Sequence, residues 1–252
     1  MVVQGNYGAR AAMILSVTDF GWRGPYLGEM QAAALREAPG VAYVDLLADA
    51  PAFRPDLAAY LLAALAQRFT KGDVVLAVVD PGVGSERAPL ALEVDGIWLV
   101  GPDNGLFEIV LRRAGTVQSH VIIWRPEGLS SSFHGRDLFA PMAARLALGK
   151  GDGLEKAAPN RYPHWPNDLD CVVHIDAFGN LITGRRATSL DLAATLDVGG
   201  RAVRPARTFA EAPPGSLFWY ANSSGLVEIA MNGGDAASHL GLAIGASLVL
   251  QP

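Results

Sequence analysis

The sequence predicts an N-terminal α/β domain with a mainly parallel sheet, followed by a smaller C-terminal β-barrel domain. Three observations lead there. Apolar, strand-like runs alternate with helical patterns through the first half of the chain. The stretch "GDGLEKAAPNRYPHWPND", rich in Gly, Pro and polar residues, then breaks that alternation. Beyond it the segments are short, β-branched and separated by turns. The expected division is an N-terminal domain at 1–155, a linker at 156–167 and a C-terminal domain at 168–252.

The elements follow in order. "AAMILSVTDF" reads as a buried strand ending near Asp19, and "YLGEMQAAALREA" as a helix with Ala, Leu and Met on one face. "VAYVDLL" is strand-like, and "PDLAAYLLAALAQRF" is a helix opened by Pro55 and Asp56. "DVVLAVVD" is the near-continuous apolar run of a parallel strand covered on both faces. "ALEVDGIWLVGPDNG" is a hairpin turning at Asp95-Gly96. "LFEIVLRRAG" is a helix stopped by Gly115, "HVIIW" a strand, and "RDLFAPMAARLALGKG" a helix despite Pro141. In the second half, "CVVHIDAFGNLIT", "ATLDVGGRAVRPA", "GSLFWYANSSGLVEIAMN" and "GASLVLQP" read as strands, and "DAASHLGL" as the one helix.

Composition narrows the function classes. Half of the 252 residues are hydrophobic, which excludes a disordered chain. A formal charge of −5 leaves no basic footprint for nucleic acid. The single Cys171 rules out an intrachain disulfide framework and a multi-cysteine metal site. "MVVQGNYGARAAMILSV" lacks the charged-then-apolar order of a secretory leader, and "LAAYLLAALA" is far shorter than the roughly 18 residues of a membrane span. The expectation is a cytoplasmic protein with no membrane partner.

Parallel sheets bind ligands outside the carboxyl ends of their strands, so the polar residues there are the site candidates. They are Asp19 in "SVTDFG", Asp80 and Arg87 in "VVDPGVGSER", Asp103 and Asn104 in "GPDNG", and His134 before the last helix of the domain. Each has an ordinary structural explanation. Asp after a strand forms turns or caps, "DPG" is a turn signal, and Arg136 with Asp137 can pair and cap a helix. "PGVG" lacks the spacing and lysine of a P-loop, "GxGxxG" and "GxSxG" are absent, and no His, Cys and Asp spacing points to a metal. An acid, an Arg and a His at one sheet edge can bind and orient a water molecule. At about 4 Å the acid–Arg attraction is roughly 4 kcal/mol before desolvation.

The motifs "TDFG", "PYLGEM", "VVDPGVGSER", "GPDNGLF", "SSFHGRDLFAP", "DAFGNLIT" and "NSSGLVEIAMN" together resemble one family, in order over nearly the whole chain. It is the S-adenosylmethionine hydrolase (adenosine-forming) family, also called S-adenosylmethionine hydroxide adenosyltransferases, relatives of the fluorinating and chlorinating enzymes. The resemblance implies hydrolysis of S-adenosyl-L-methionine to adenosine and L-methionine, without metal or organic cofactor. It also implies a homotrimer whose active sites lie at subunit interfaces.

By the same resemblance Asp80, Arg87 and His134 handle the water, and Asp19 binds the ribose hydroxyls. Phe53 lies against the nucleoside, and Asp176 contacts the methionine ammonium. Phe178 and Asn180 meet the adenine, Ser223 the methionine carboxylate, and the main chain from Met231 to Gly233 the adenine edge. Two positions depart from the pattern: Gly24 stands where a second ribose acid is usual, and Ser224 where the fluorinating relatives carry an arginine. A halogenating enzyme and a non-catalytic binder of S-adenosylmethionine or adenosine are the alternatives. A halide needs hydroxyls and main-chain N–H groups without a base, and a binder needs no water-handling set.

Overall fold

The computed structural model describes residues 12–250. The segment read for a leader, up to residue 11, and the last two residues of "GASLVLQP" lie outside the described residues. In chain order the elements are β1 (Met13–Thr18), α1 (Tyr26–Glu37), β2 (Ala42–Leu47), α2 (Pro55–Leu65), β3 (Val74–Val78), β4 (Pro89–Val94) and β5 (Ile97–Pro102). Then come α3 (Glu108–Arg113), β6 (Val117–Ile122), α4 (Ala140–Ala147) and β7 (Leu154–Lys156). The remainder holds β8 (Leu169–Ile175), β9 (Leu181–Arg186), β10 (Leu196–Val198), β11 (Arg201–Pro205), β12 (Leu217–Ala221), β13 (Leu226–Met231) and α5 (Ala236–Leu240).

They form two compact units. The first takes the chain up to Phe53, Phe69–Phe107 and Leu111–Asn160; the second takes Arg54–Arg68, Glu108–Val110 and the chain from Arg161 onward. The sheet of the first unit runs β2-β1-β3-β5-β4-β6-β7. Its β2, β1, β3 and β5 are parallel, while β4, β6 and β7 are each antiparallel to their neighbours. Every residue of β3 is buried, which is why it reads as an unbroken apolar run. α1 turns Leu27, Met30 and Ala34 inward at helical spacing. The β4–β5 turn places Asp95 and Gly96 at φ 53° and 83°, the left-handed pair that matches strand twist in a two-residue hairpin.

The second unit is a mostly antiparallel, curled half-barrel sheet in the order β10-β11-β12-β13-β9-β8. Its core holds Leu181, Trp219, Val227 and Ile229, with the Trp219 indole donating to the Ala194 carbonyl at 2.9 Å. α2 belongs with this unit. It is buried at every residue from Leu57 to Ala64, and its Tyr60 hydroxyl donates to the Pro166 carbonyl at 2.7 Å. α5 is capped by Asp235, whose carboxylate accepts the Ser238 N–H at 2.8 Å, and is ended by Gly241 at φ 65°.

Three segments differ from the sequence reading. β7 adds a strand inside the Gly- and Pro-rich stretch, where three residues carry no periodicity. The helix expected from Arg136 starts as a π-helical turn over Gly135–Phe139 and continues as α4, with Pro141 in its first turn, where no N–H is required. "GASLVLQP" is not a strand among its described residues. Ser247 makes one isolated bridge to Cys171, the Leu248 N–H donates to the Asp170 carbonyl at 2.9 Å, and the Leu248 and Leu250 side chains pack into the core of the second unit. Among the described residues, no helix is long and apolar enough to cross a membrane.

Gly101 on β5 lies where any Cβ would overlap the Ala77 carbonyl of the neighbouring β3. Gly101→Ala therefore has to push two central strands apart. Its expected effect is a loss of about 1–3 kcal/mol, read as a lower denaturant midpoint at unchanged slope; an unshifted midpoint would contradict this packing.

Candidate active site

The parallel pairing of β1 with β3 sets Thr18 opposite Val78, so the residues that follow, Asp19 and Asp80, leave neighbouring strand ends. Asp80 is held in place twice. The Asn104 side-chain amide donates to the Val79 carbonyl at 2.8 Å and fixes the backbone just before it. The Arg87 guanidinium then forks onto the carboxylate, its Nε donating to Oδ1 at 2.9 Å and its Nη2 to Oδ2. Both side chains are almost fully buried, 4% exposed for Asp80 and 9% for Arg87. The guanidinium also lies over the Phe139 ring, 5.1 Å from its centroid.

His134 completes the set. Arg87 Nη2 lies 3.0 Å from His134 Nδ1. A guanidinium can only donate, so Nδ1 must accept, and the neutral ring carries its proton on Nε2. Burial, then the Arg87 charge, hold the imidazole pKa below its ordinary value, which favours this neutral form. The approach of the two loops depends on Gly84, at φ 80°, where a Cβ would collide with the Ser131 carbonyl. The histidine loop is braced from the other side: Asp137 accepts the Ser130 N–H at 3.0 Å and pairs with Arg136, which also reaches Glu29 at 2.8 Å. Arg136 and Asp137 thus pair as first considered but do not cap the helix, and pairing with Arg136 holds the Asp137 pKa low.

Asp19 accepts the Phe53 N–H at 2.9 Å. Burial pushes its pKa up against that hydrogen bond, and the charge of Asp80 adds to the rise. Phe53 sits at φ 61°, unfavourable for a side chain of its size, with its ring 74% exposed. Gly24 has φ 99°, a backbone conformation that an acid at this position would strain to adopt. Asp103 does not join the cluster. It accepts the Asn160 N–H and side-chain amide, at 3.1 and 3.0 Å, and burial raises its pKa.

In the second unit, a cavity of about 650 Å³ is lined by Asp176, Phe178, Asn180, Met231 and Gly233, five of the positions singled out from the sequence. Asp176 shapes the β8–β9 turn. Its Oδ1 accepts the Phe178 and Asn180 N–H groups at 2.9 Å each, and its Oδ2 accepts the Asn180 amide at 2.9 Å. The turn leaves the Phe178 ring 77% exposed. Phe209 and Tyr220 line the same cavity and were not singled out. The alternation of "LFWYA" sets Tyr220 on the face opposite the core residue Trp219, a signal that could have found it. Phe209 opens a single 3₁₀ turn, Phe209–Glu211, which carries no such alternation. Ser223 is not among the cavity residues; its carbonyl accepts from Arg68. Among the described residues, no group of three or more His, Cys, Asp or Glu is arranged to hold a metal ion.

Comparison with known proteins matches both halves. Residues 14–156 match the SAM hydroxide adenosyltransferase N-terminal domain, and residues 170–249 match the C-terminal domain. The chain is 39% identical over 246 residues to the (R)-S-adenosyl-L-methionine hydrolase of Thermus thermophilus, across 90% of this chain and 94% of that protein. It is 36% identical over 256 residues to the protein of the same name from Salinispora arenicola, across 95% and 98%. Among solved structures, an uncharacterized conserved protein from Thermotoga maritima superposes with a TM-score of 0.83 at 27% identity, across 94% of this chain and 98% of that one. A conserved hypothetical protein from Thermus thermophilus gives 0.75 at 37% identity, across 95% and 100%. With its two halves matched in order, the chain belongs to the SAM hydroxide adenosyltransferase family.

Proposed function

We propose that this chain hydrolyses S-adenosyl-L-methionine to adenosine and L-methionine, by in-line attack at C5′ of a water molecule held by Asp80, Arg87 and His134. The observation that carries the reading is the hydrogen-bonded chain from Asp80 through Arg87 to His134 at the end of β3. The relatives named for the (R) form of this substrate support it, and we extend their sulfur configuration to this chain as its preferred epimer. The first unit supplies the water-handling set and, through Asp19 and Phe53, the ribose contacts. The second supplies Asp176, Phe178, Asn180, Ser223 and the Met231–Gly233 main chain for methionine and adenine. The family resemblance supports a homotrimer with sites at subunit interfaces, and the lone Cys171 supports a cytoplasmic location.

The chemistry follows from the donors and acceptors present. His134 Nε2–H donates to the water oxygen. Each Asp80 oxygen has a lone pair beyond the one Arg87 engages, and one of these accepts a water proton. The remaining water lone pair attacks C5′ as the C5′–sulfur bond breaks. That bond's electrons return to sulfur, methionine leaves as a neutral thioether, and the proton passes from Asp80 to solvent. A sulfonium already supplies a good leaving group, so the step needs neither metal nor organic cofactor. Fixing the water opposite sulfur supplies much of the acceleration.

Incubation with S-adenosyl-L-methionine in oxygen-18 water is expected to put label in the adenosine 5′-hydroxyl, faster for the (R) sulfur epimer; unlabelled adenosine, or none, overturns the reading. Asp80→Asn and His134→Ala are each expected to slow single-turnover release by roughly 100-fold with substrate affinity little changed. Because the imidazole works neutral and its pKa is depressed, wild-type kcat should hold as pH falls through about 6.5 and decline only below it. An acid limb centred above that value would contradict the assigned proton position. Light scattering on the purified protein is expected to give the mass of three chains.

A further inference from the structure

The proposed reaction leaves Glu228, a buried carboxylate of the second unit, unused. Glu228 lies on β13, 5% exposed, directly opposite Tyr220 of β12 in the antiparallel register. Each of its oxygens accepts one side-chain hydrogen bond, Oε1 from the Tyr220 hydroxyl and Oε2 from the Asn222 amide at 3.0 Å. Tyr220 is on the wall of the 650 Å³ cavity with Asp176 and Asn180. Asn222 uses its own carbonyl oxygen to accept the Ser224 and Leu226 N–H groups, at 2.9 and 3.0 Å, which closes the turn containing Ser223. One carboxylate therefore ties the cavity wall to that turn.

A phenol has a single proton. Once that proton is given to Glu228, the Tyr220 oxygen can meet any other group only as an acceptor. Burial, and then the Glu228 hydrogen bond, push the phenol pKa up, so the proton stays on it. Asp176, on the same wall, is likewise an acceptor. We infer that Glu228 is a positioning residue for substrate, fixing Tyr220 as a hydrogen-bond acceptor on the cavity wall and holding the Ser223 turn, so that this wall selects a ligand group that donates, an ammonium or an exocyclic amine. This rests on the reading that the cavity takes S-adenosyl-L-methionine.

The test is a double-mutant cycle on adenosine release. In Glu228→Gln the amide oxygen must take the Asn222 donor, so the amide N–H faces Tyr220 and reverses the phenol's hydrogen bond. The expected result is a KM raised about tenfold, with kcat within about threefold of wild type. Tyr220→Phe should raise KM comparably, and adding Glu228→Gln to it should change KM by less than about threefold, because the two act through one bond. A merely structural glutamate would give independent effects that multiply. Unchanged KM in Glu228→Gln, or multiplying effects, overturns the inference. Should Glu228→Gln not fold, Tyr220→Phe decides alone: a raised KM at an unchanged melting midpoint supports the assignment, and wild-type KM overturns it. Adenosine release by the wild type checks the underlying reading separately. If there is none, calorimetric Kd values for S-adenosyl-L-methionine replace KM under the same criteria, and a wild type that neither hydrolyses nor binds it ends both.

Discussion

A planar guanidinium that can only donate sets the geometry of the first unit's polar cluster. Arg87 gives two parallel hydrogen bonds to Asp80 and a third to His134, all within reach of one rigid plane. A lysine offers a point charge without that fork and could not fix both partners at once. The same three bonds shape the electrostatics. Asp80, nearly buried at a strand end, keeps a counter-charge that offsets its desolvation, and burial together with the Arg87 charge disfavours the His134 cation, with the donor facing Nδ1 favouring a proton on Nε2. Asn104 and Gly84 matter because they let this plane form. One pins the backbone before Asp80, and the other admits the Ser131 carbonyl close to the loop that carries Arg87.

The second unit solves a comparable problem with the charges reversed. There the fixed group is a carboxylate, Glu228, and the groups it aligns are donors, Tyr220 and Asn222. Asp176 organises its own turn in the same way, accepting two N–H groups and an amide. In both units an acid without a partner would be expensive to bury, and Asp80 and Glu228 are each held by side-chain donors. That bracing leaves these carboxylates and the groups they align with a definite remaining capacity to donate or accept.

Much of this was legible in the sequence, for identifiable reasons. Apolar runs and turn residues located the central strands of both sheets, because burial on both faces or on alternate faces leaves a direct trace in composition. α2 shows the limit of that signal: its all-round burial announces a covered helix, but nothing in "LAAYLLAALA" says which unit covers it. The buried Leu248 and Leu250 likewise gave an apolar pattern without a strand. Asp80, Arg87 and His134 could be singled out from strand ends and family motifs. Their convergence depends on Gly84 and the Asp137 brace, which act through space rather than along the chain. Glu228 was quoted within "NSSGLVEIAMN" but stayed anonymous, since an alternating strand pattern does not say which acid finds partners inside.

Two nucleophiles fit the neighbourhood of a sulfonium carbon, a halide and water, and the polar cluster separates them at one residue. A neutral imidazole donating from Nε2 suits either, because both accept a hydrogen bond. The carboxylate of Asp80 does not. Beside a halide each Asp80 oxygen offers only a lone pair and nothing to donate. Beside water the same oxygen can accept a hydrogen bond, as the proposed reaction requires. Arg87 cannot reverse that preference, since its two hydrogen bonds already neutralise Asp80 and its third goes to the ring. The anion that would have to bind in a halide reaction therefore finds no uncommitted cation in the cluster. A nucleophile with a proton to give is the one this arrangement favours.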